Sequence, residues 1–203
     1  MEIIFATQNK HKITEISSVL GKEFHIISLE DIGCLEELPE TQDTFEGNAK
    51  QKAFYIYEHY HKNCFADDSG LEIEALNGKP GIYSARYAGN DKDMEANIDK
   101  VLYEMKDVTN RKAQFRTVIA LVIGENDYET CSSFIFEGII GGSIIKERRG
   151  TNGFGYDPIF IPDGFEITFA EMSLEAKNKI SHRAIAVGKL KAMLTLAYGI
   201  SES

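Results

Sequence analysis

The sequence predicts an α/β fold built on a mixed β-sheet, and three observations lead there. Short apolar runs and stretches of helical period interleave along the chain. Two longer runs rich in Val, Ile and Phe lie next to each other in mid-chain, as antiparallel neighbours do. No repeat, low-complexity tract or linker divides the 203 residues, and that length predicts one domain, 1–203.

Each element has its own signal. Ile3-Ile4-Phe5-Ala6 reads as a buried strand ending at Thr7, followed by a polar loop and a helix reaching Leu20, which Gly21 closes. Phe24 to Leu29 reads as a second strand. From Thr44 to Lys62, Phe45, Ala49, Ala53, Ile56, Tyr57 and Tyr60 recur at offsets of 4, 4, 3, 1 and 3, a helix with Thr44 as N-cap. Cys64-Phe65-Ala66 and Leu71 to Leu76 read as strands flanking Asp67-Asp68-Ser69-Gly70. Ala113 to Gly124 and Tyr128 to Glu137 form the expected hairpin, joined at Glu125-Asn126-Asp127. Ala184, Val187, Leu190, Leu194 and Ala197 mark a last helix.

A formal net charge of −10 argues against diffuse binding to nucleic acid or to an anionic membrane, since both need a basic footprint. The apolar stretches fall short of the ~20 residues of a spanning helix, and MEIIFATQNK lacks a secretory-signal pattern. Cys34, Cys64 and Cys131 are odd in number and have no metal-ligand spacing, so a reducing cytoplasm is expected, with thiols serving as small core hydrophobes.

Five segments could carry chemistry. Thr7-Gln8-Asn9-Lys10-His11-Lys12 joins a strand to a helix, where backbone N–H groups and lysines favour an anion, or it is a polar cap with solvated lysines. Asp67-Asp68-Ser69-Gly70 offers two carboxylates to a hard cation such as Mg²⁺, or is turn chemistry. Glu40, near Glu36-Glu37, could be a second ligand or part of a solvated acidic face, and Asn48 and Lys52 share a helix face. Gly150 to Pro158 interleaves Phe154, Tyr156 and Asp157 with three glycines; these excuse close backbone approach, and the aromatics could stack a base or fold into the core. Lys177, Ser181, His182 and Arg183 open the last helix, where cations oppose the helix dipole unless a ligand repays them.

Together these segments resemble a known family. T-Q-N-K-H-K at 7–12, E-T-Q-D-T-F-E-G-N-A-K-Q-K-A at 40–53 and A-D-D-S-G-L at 66–71 are similar to the inosine/xanthosine triphosphate pyrophosphatases. P-G-I-Y-S-A-R-Y-A-G at 80–89, G-F-G-Y-D-P-I-F at 153–160, F-A-E-M at 169–172 and S-H-R-A at 181–184 continue the match in order over nearly the whole chain. The resemblance implies a long, twisted mixed sheet flanked by helices, in two lobes around a central nucleotide cleft. It also implies a homodimer and Mg²⁺-dependent hydrolysis of a purine nucleoside triphosphate to monophosphate and pyrophosphate. Carried over by motif, Thr7, Gln8, Asn9, Lys10, His11 and Lys12 would wrap the phosphates. Glu40 and Asp68 would hold the metal, with Asp68 also the proton acceptor, and Ser69 would touch substrate. Phe154, Gly155, Tyr156 and Asp157 would bind the nucleoside end, completed by Lys177, His182 and Arg183.

Two positions depart from the family pattern. Gln42 stands where the family often has Gly, and Gly47 where it often has Glu, so a metal ligand could be absent; Glu46 lies one helical step of roughly 100° away. Two rivals stay open: a sensor that binds triphosphates without cleaving them, and a repair factor that stacks a damaged base on Phe154 and Tyr156.

Overall fold

The structure, a computed structural model, describes residues 1–124 and 131–199. Its elements in chain order are β1 (Glu2–Phe5), α1 (Lys10–Leu20), β2 (His25–Ile27), α2 (Phe45–Tyr60), β3 (Cys64–Ile73), α3 (Met94–Glu104), β4 (Lys112–Ile123), β5 (Ser132–Ile144), β6 (Phe160–Pro162), α4 (Leu174–Lys177) and α5 (His182–Tyr198). The six strands run in the order β2-β1-β3-β4-β5-β6. β1 is parallel to both β2 and β3, and β6 is antiparallel to β5, so the sheet is mixed, as expected. β4 and β5, with 12 and 13 residues, each extend for about 40 Å. They are neighbours in the sheet; the expected turn at 125–127 lies outside the described residues.

Two compact units make up the chain. The first takes Met1–Asp68, Thr117–Gly138 and Arg183–Ser203; the second takes Ser69–Arg116 and Ile139–His182. In the first, Ile16 and Leu20 of α1 and Val187, Leu190 and Leu194 of α5 bury against Ile3, Phe5, Phe65, Ile119 and Leu121. Phe5 and Phe65 stack across the parallel β1–β3 pair with ring centroids 4.6 Å apart. Cys64 is adjacent to Phe65 and so faces the other side of β3, where its thiol donates to the Ala53 carbonyl of α2 at 3.1 Å. Burial pushes this thiol up to about 12, so it behaves as a core residue. In the second unit, Ile98 and Val101 of α3 pack with Leu71, Ile73, Phe115, Ile159, Phe160 and Phe169.

The structure changes several expected boundaries. The two short strands expected around Asp67–Gly70 are one ten-residue strand, so this segment is not a turn. The run from Phe24 to Leu29 pairs only over β2. Lys177 ends α4 and does not open the last helix, which begins at His182. The 3₁₀ turn Gly81–Arg86 and helix α3 add elements for which no expectation stood. Among the described residues, no helix is long and apolar enough to cross a membrane.

Candidate active site

In the first unit, the loop after β1 spends its polar side chains on building the start of α1. Asn9 is the N-cap, its Oδ1 accepting from the backbone N–H of His11 at 3.0 Å and of Lys12 at 3.2 Å. Thr7 Oγ1 accepts from the Asn9 N–H at 3.2 Å. The Gln8 amide turns away to donate to the carbonyls of Leu35 and Glu36, while Lys10 and His11 are exposed. Lys12 reaches inward, its Nζ 2.9 Å from Asp67 Oδ1.

Because β3 runs unbroken through residues 67–69, successive side chains leave it on opposite faces, and this separates the two adjacent carboxylates. Asp67 meets Lys12 and, at 3.7 Å, the Nε of Arg183; Arg183 Nη1 in turn pairs with Glu15. Asp68 Oδ2 accepts from Asn48 Nδ2 at 3.0 Å. Lys52 binds Glu40 Oε1 at 2.6 Å and donates to the Asp67 carbonyl at 2.7 Å. Glu40 and Asp68 thus both meet α2, through side chains one turn apart. Ser69 follows on the strand and is half-buried.

The electrostatics differ accordingly. Burial pushes the Asp68 carboxyl up, and Glu40 adds to this, against the opposing effects of Lys52, Lys12 and the Asn48 hydrogen bond. Burial acts the same way on Asp67, but Lys12, Arg183 and Lys52 outweigh it and hold that carboxyl well below the usual range. Burial lowers Lys12, with Lys52 and Arg183 reinforcing it. Lys52 is raised, because Asp68, Glu40 and Asp67 together overcome its burial.

The two departures from the family pattern occupy one place. A Cβ at Gly47 would meet the Gln42 Cβ at 2.7 Å and Thr44 Oγ1 at 3.0 Å. A side chain at 42 therefore goes with none at 47. Glu46 forms an exposed pair with Lys50 at 2.7 Å.

In the second unit, Gly150, Gly153 and Gly155 have φ of 81°, 75° and 59°, a conformation other residues rarely adopt. Asp157 Oδ2 accepts from the Phe154 N–H at 2.9 Å and from Lys177 Nζ at 2.6 Å; both Asp157 and Lys177 are buried. The Lys177 ammonium lies 5.2 Å from the centre of the Phe154 ring. Tyr156 departs from the expectation of a stacking face. Its ring is in the core and its hydroxyl donates to the Ser84 carbonyl at 2.8 Å, which leaves Phe154 as the half-buried aromatic of the pair. Gly155 is half-buried and its N–H points to the Met94 sulfur at 3.3 Å. His182 is buried and stacks on Phe115 with centroids 4.7 Å apart. His182 and Arg183 are thus both buried, unlike an exposed basic turn.

Two positioning residues lie outside the expected set. Glu15 holds Arg183, and Ser84 links Leu71 to Tyr156. Ser84 at least falls inside the P-G-I-Y-S-A-R motif, whereas nothing local marks Glu15.

The donor set suits a hard cation. Among the described residues no group of three or more His, Cys, Asp or Glu side chains could hold a metal. Mg²⁺ binds through one or two carboxylates and usually keeps several waters, and Glu40 and Asp68 are the carboxylates that would hold it.

The chain is 52% identical over 195 residues to a dITP/XTP pyrophosphatase of Flavobacterium johnsoniae, covering 96% of this chain and 98% of that one. It is 46% identical to a dITP/XTP pyrophosphatase of Bacillus subtilis, covering 95% and 96%. Among solved structures, the Ham1 protein of Staphylococcus aureus superposes with a TM-score of 0.85 at 41% identity, over 97% of this chain and all of that one. A HAM1 protein from Coxiella burnetii gives 0.86 at 40% identity, over 97% and 99%. Residues 3–193 match the model of the Ham1 family, and the chain belongs to that family.

Proposed function

We propose that this chain hydrolyses non-standard purine nucleoside triphosphates (inosine, deoxyinosine and xanthosine) to the monophosphate and pyrophosphate, using Mg²⁺ and cleansing the cytoplasmic nucleotide pool. The observation that carries this reading is the part-buried cluster in which α2 holds Glu40 through Lys52 and Asp68 through Asn48. The activity of the relatives supports the substrate class. In the cluster the carboxylates of Glu15, Glu40, Asp67 and Asp68 outnumber the cations Lys12, Lys52 and Arg183. A triphosphate entering such surroundings needs a counter-cation. Mg²⁺, held by Glu40 and Asp68, would supply that charge neutralisation on the phosphate oxygens.

The protein's own groups do the rest. Asp68, its proton affinity raised by burial, takes a proton from the water that attacks the α-phosphorus as the α–β anhydride breaks. Lys12 and Lys52 stabilise the departing pyrophosphate, and the donors of residues 7–11 hold the phosphate chain. Asn9 presents its amide nitrogen for this, since Oδ1 is committed to the helix cap. Ser69 touches substrate beside Asp68. The purine is assigned to Phe154, Gly155, Asp157, Lys177 and His182, with Lys177 and His182 donating to the 6-keto oxygen. Arg183, facing Glu15 and Asp67, serves to hold Asp67. Adenine carries an amino donor at that position, and two facing donors cost about 1–3 kcal/mol, roughly 5- to 150-fold in selectivity. We assign a homodimer on the family resemblance.

Pyrophosphate release measured on deoxyinosine, xanthosine, guanosine and adenosine triphosphates, with and without chelator, tests the reading. Fast release from the first two, abolished by chelator, is expected. Orthophosphate as the sole phosphate product would overturn it in favour of an ordinary triphosphatase.

A further inference from the structure

One face of α2 ties the Glu40-bearing segment in place. Asn48, Gln51 and Lys52 are spaced three and four residues apart across it. Gln51 accepts from the Thr41 N–H at 2.9 Å and donates to Thr41 Oγ1 at 2.8 Å, while Lys52 holds Glu40. Asn48 makes the remaining tie and is 3% exposed. Its Oδ1 accepts from the Gln42 backbone N–H at 2.9 Å, and its Nδ2 donates to Asp68 Oδ2 at 3.0 Å. The amide can take only this orientation, since a backbone N–H only donates and a carboxylate only accepts.

We propose that Asn48 is the positioning residue for Asp68. A carboxylate at the end of a short side chain turns readily about its terminal torsion, because that well is broad and two-fold. The Asn48 bond pins Oδ2 and so fixes where Oδ1 points. Because the same rigid amide grips residue 42, it also sets the spacing between Asp68 and the backbone two residues beyond Glu40. Only a primary amide carries a donor and an acceptor at that fixed separation. Asp at 48 would set a like charge against Asp68, and Leu would offer neither bond. Gly47 serves the same tie, since any side chain there would displace Gln42, the other end of the bridge.

This inference rests on the pyrophosphatase reading and deepens it. The test compares wild type, Asn48→Ala and Asn97→Ala in pyrophosphate release from deoxyinosine triphosphate, with thermal melts of each. Asn97 is an equally buried asparagine that bonds Ala85 and Ala88 and does not touch Asp68, so it calibrates the loss of a buried amide. Asn48→Ala is expected to lower kcat about 10- to 100-fold with KM within about threefold, the effect typical of removing a residue that orients a ligand. Its crystal structure should show the Asp68 carboxylate in more than one rotamer. Asn97→Ala should lose thermal stability by a similar amount but keep kcat within about threefold of wild type. Should Asn48→Ala not fold, Asn48→Ser is read by the same criteria. Equal kcat losses in the two variants, or an unimpaired Asn48→Ala with an ordered Asp68, overturn the inference while wild-type turnover leaves the pyrophosphatase reading intact. Absence of pyrophosphate release from wild type overturns both.

Discussion

On β3 the side chains of Asp67 and Asp68 leave the strand on opposite sides, and what each meets divides their roles. Asp67, flanked by Lys12 and Arg183, has its carboxyl held low, so its pairing stabilises the fold above the ordinary pKa of 3.8 and the gain is lost as pH falls through the folded value. Asp67→Asn takes from Lys12 its carboxylate partner, while Arg183 keeps Glu15, and should cost about 3–5 kcal/mol at pH 7, a Tm drop of roughly 6–20 °C. Below pH 3.8 the wild type begins to give up the same interaction, so melts at pH 7 and pH 3 should show the deficit narrowing. A constant deficit would exclude the ion pairs as its cause. Asp68 has the opposite sign. Its carboxyl is raised by burial, so ionisation above 3.8 costs stability. Asp68→Asn should leave Tm equal or higher while pyrophosphate release falls by about 10²–10⁴. Such a residue, which weakens the fold where it stands, is what a reactive carboxylate looks like in energetic terms.

At the next scale, α2 acts as a jig. Its start is set locally, Thr44 Oγ1 accepting from the Gly47 N–H at 3.0 Å, and its buried face of Phe45, Ala49, Ala53 and Ile56 follows the helical period. Gly47 in the first turn sacrifices helix propensity, and Ala there would be favoured by up to about 1 kcal/mol were the space open. It is closed by Gln42. Gly47→Ala should therefore lower kcat about tenfold by pushing residue 42 away from Asn48, and Gln42→Gly added to it should restore turnover. Steady-state kinetics of the single and double variants check this; an unimpaired single variant would mean that Gln42 shifts without disturbing Asn48. The glycine-rich segment of the second unit is organised by the same logic. Thr151 and Asn152 both donate to the Ala170 carbonyl, at 3.1 and 3.0 Å, and Asp157 bonds the Phe154 N–H. Those bonds need backbone turns that the glycines at 150, 153 and 155 permit.

For the molecule as a whole, a net charge of −10 would, on the proposed reading, make a polyanionic substrate depend on its counter-cation. A non-hydrolysable α,β-methylene analogue of deoxyinosine triphosphate with Mg²⁺, at 100 times its Kd, should stabilise the fold by about 2.7 kcal/mol, or roughly 5–11 °C in Tm. The same analogue with chelator should give little shift, which differential scanning calorimetry would show. An equal shift without metal would remove the cation from binding.

How far local pattern reaches is visible in particular elements. α2 and the caps at Thr44 and Gly21 were legible because period and capping are properties of a few adjacent residues. The family was equally legible, since motifs of several residues in order carry it, and residues 3–193 match the Ham1 family model. Asp67–Gly70 differs from local expectation for a definite reason: Asp, Ser and Gly are turn formers, and the place of β3 between β1 and β4 in the sheet keeps them in a strand instead. Tyr156 could face a base or the core on sequence grounds, and the Ser84 carbonyl selects the core. The pairing of Arg183 with Glu15 spans 168 positions, and no window of sequence contains both. Composition and periodicity therefore set the class of fold, the helices α1, α2 and α5 and the residues able to do chemistry, because those follow from each residue and its near neighbours. Which carboxylate is neutralised, which is poised and which amide holds it in place came only with the folded chain, because burial and charge pairing depend on groups that only folding brings together.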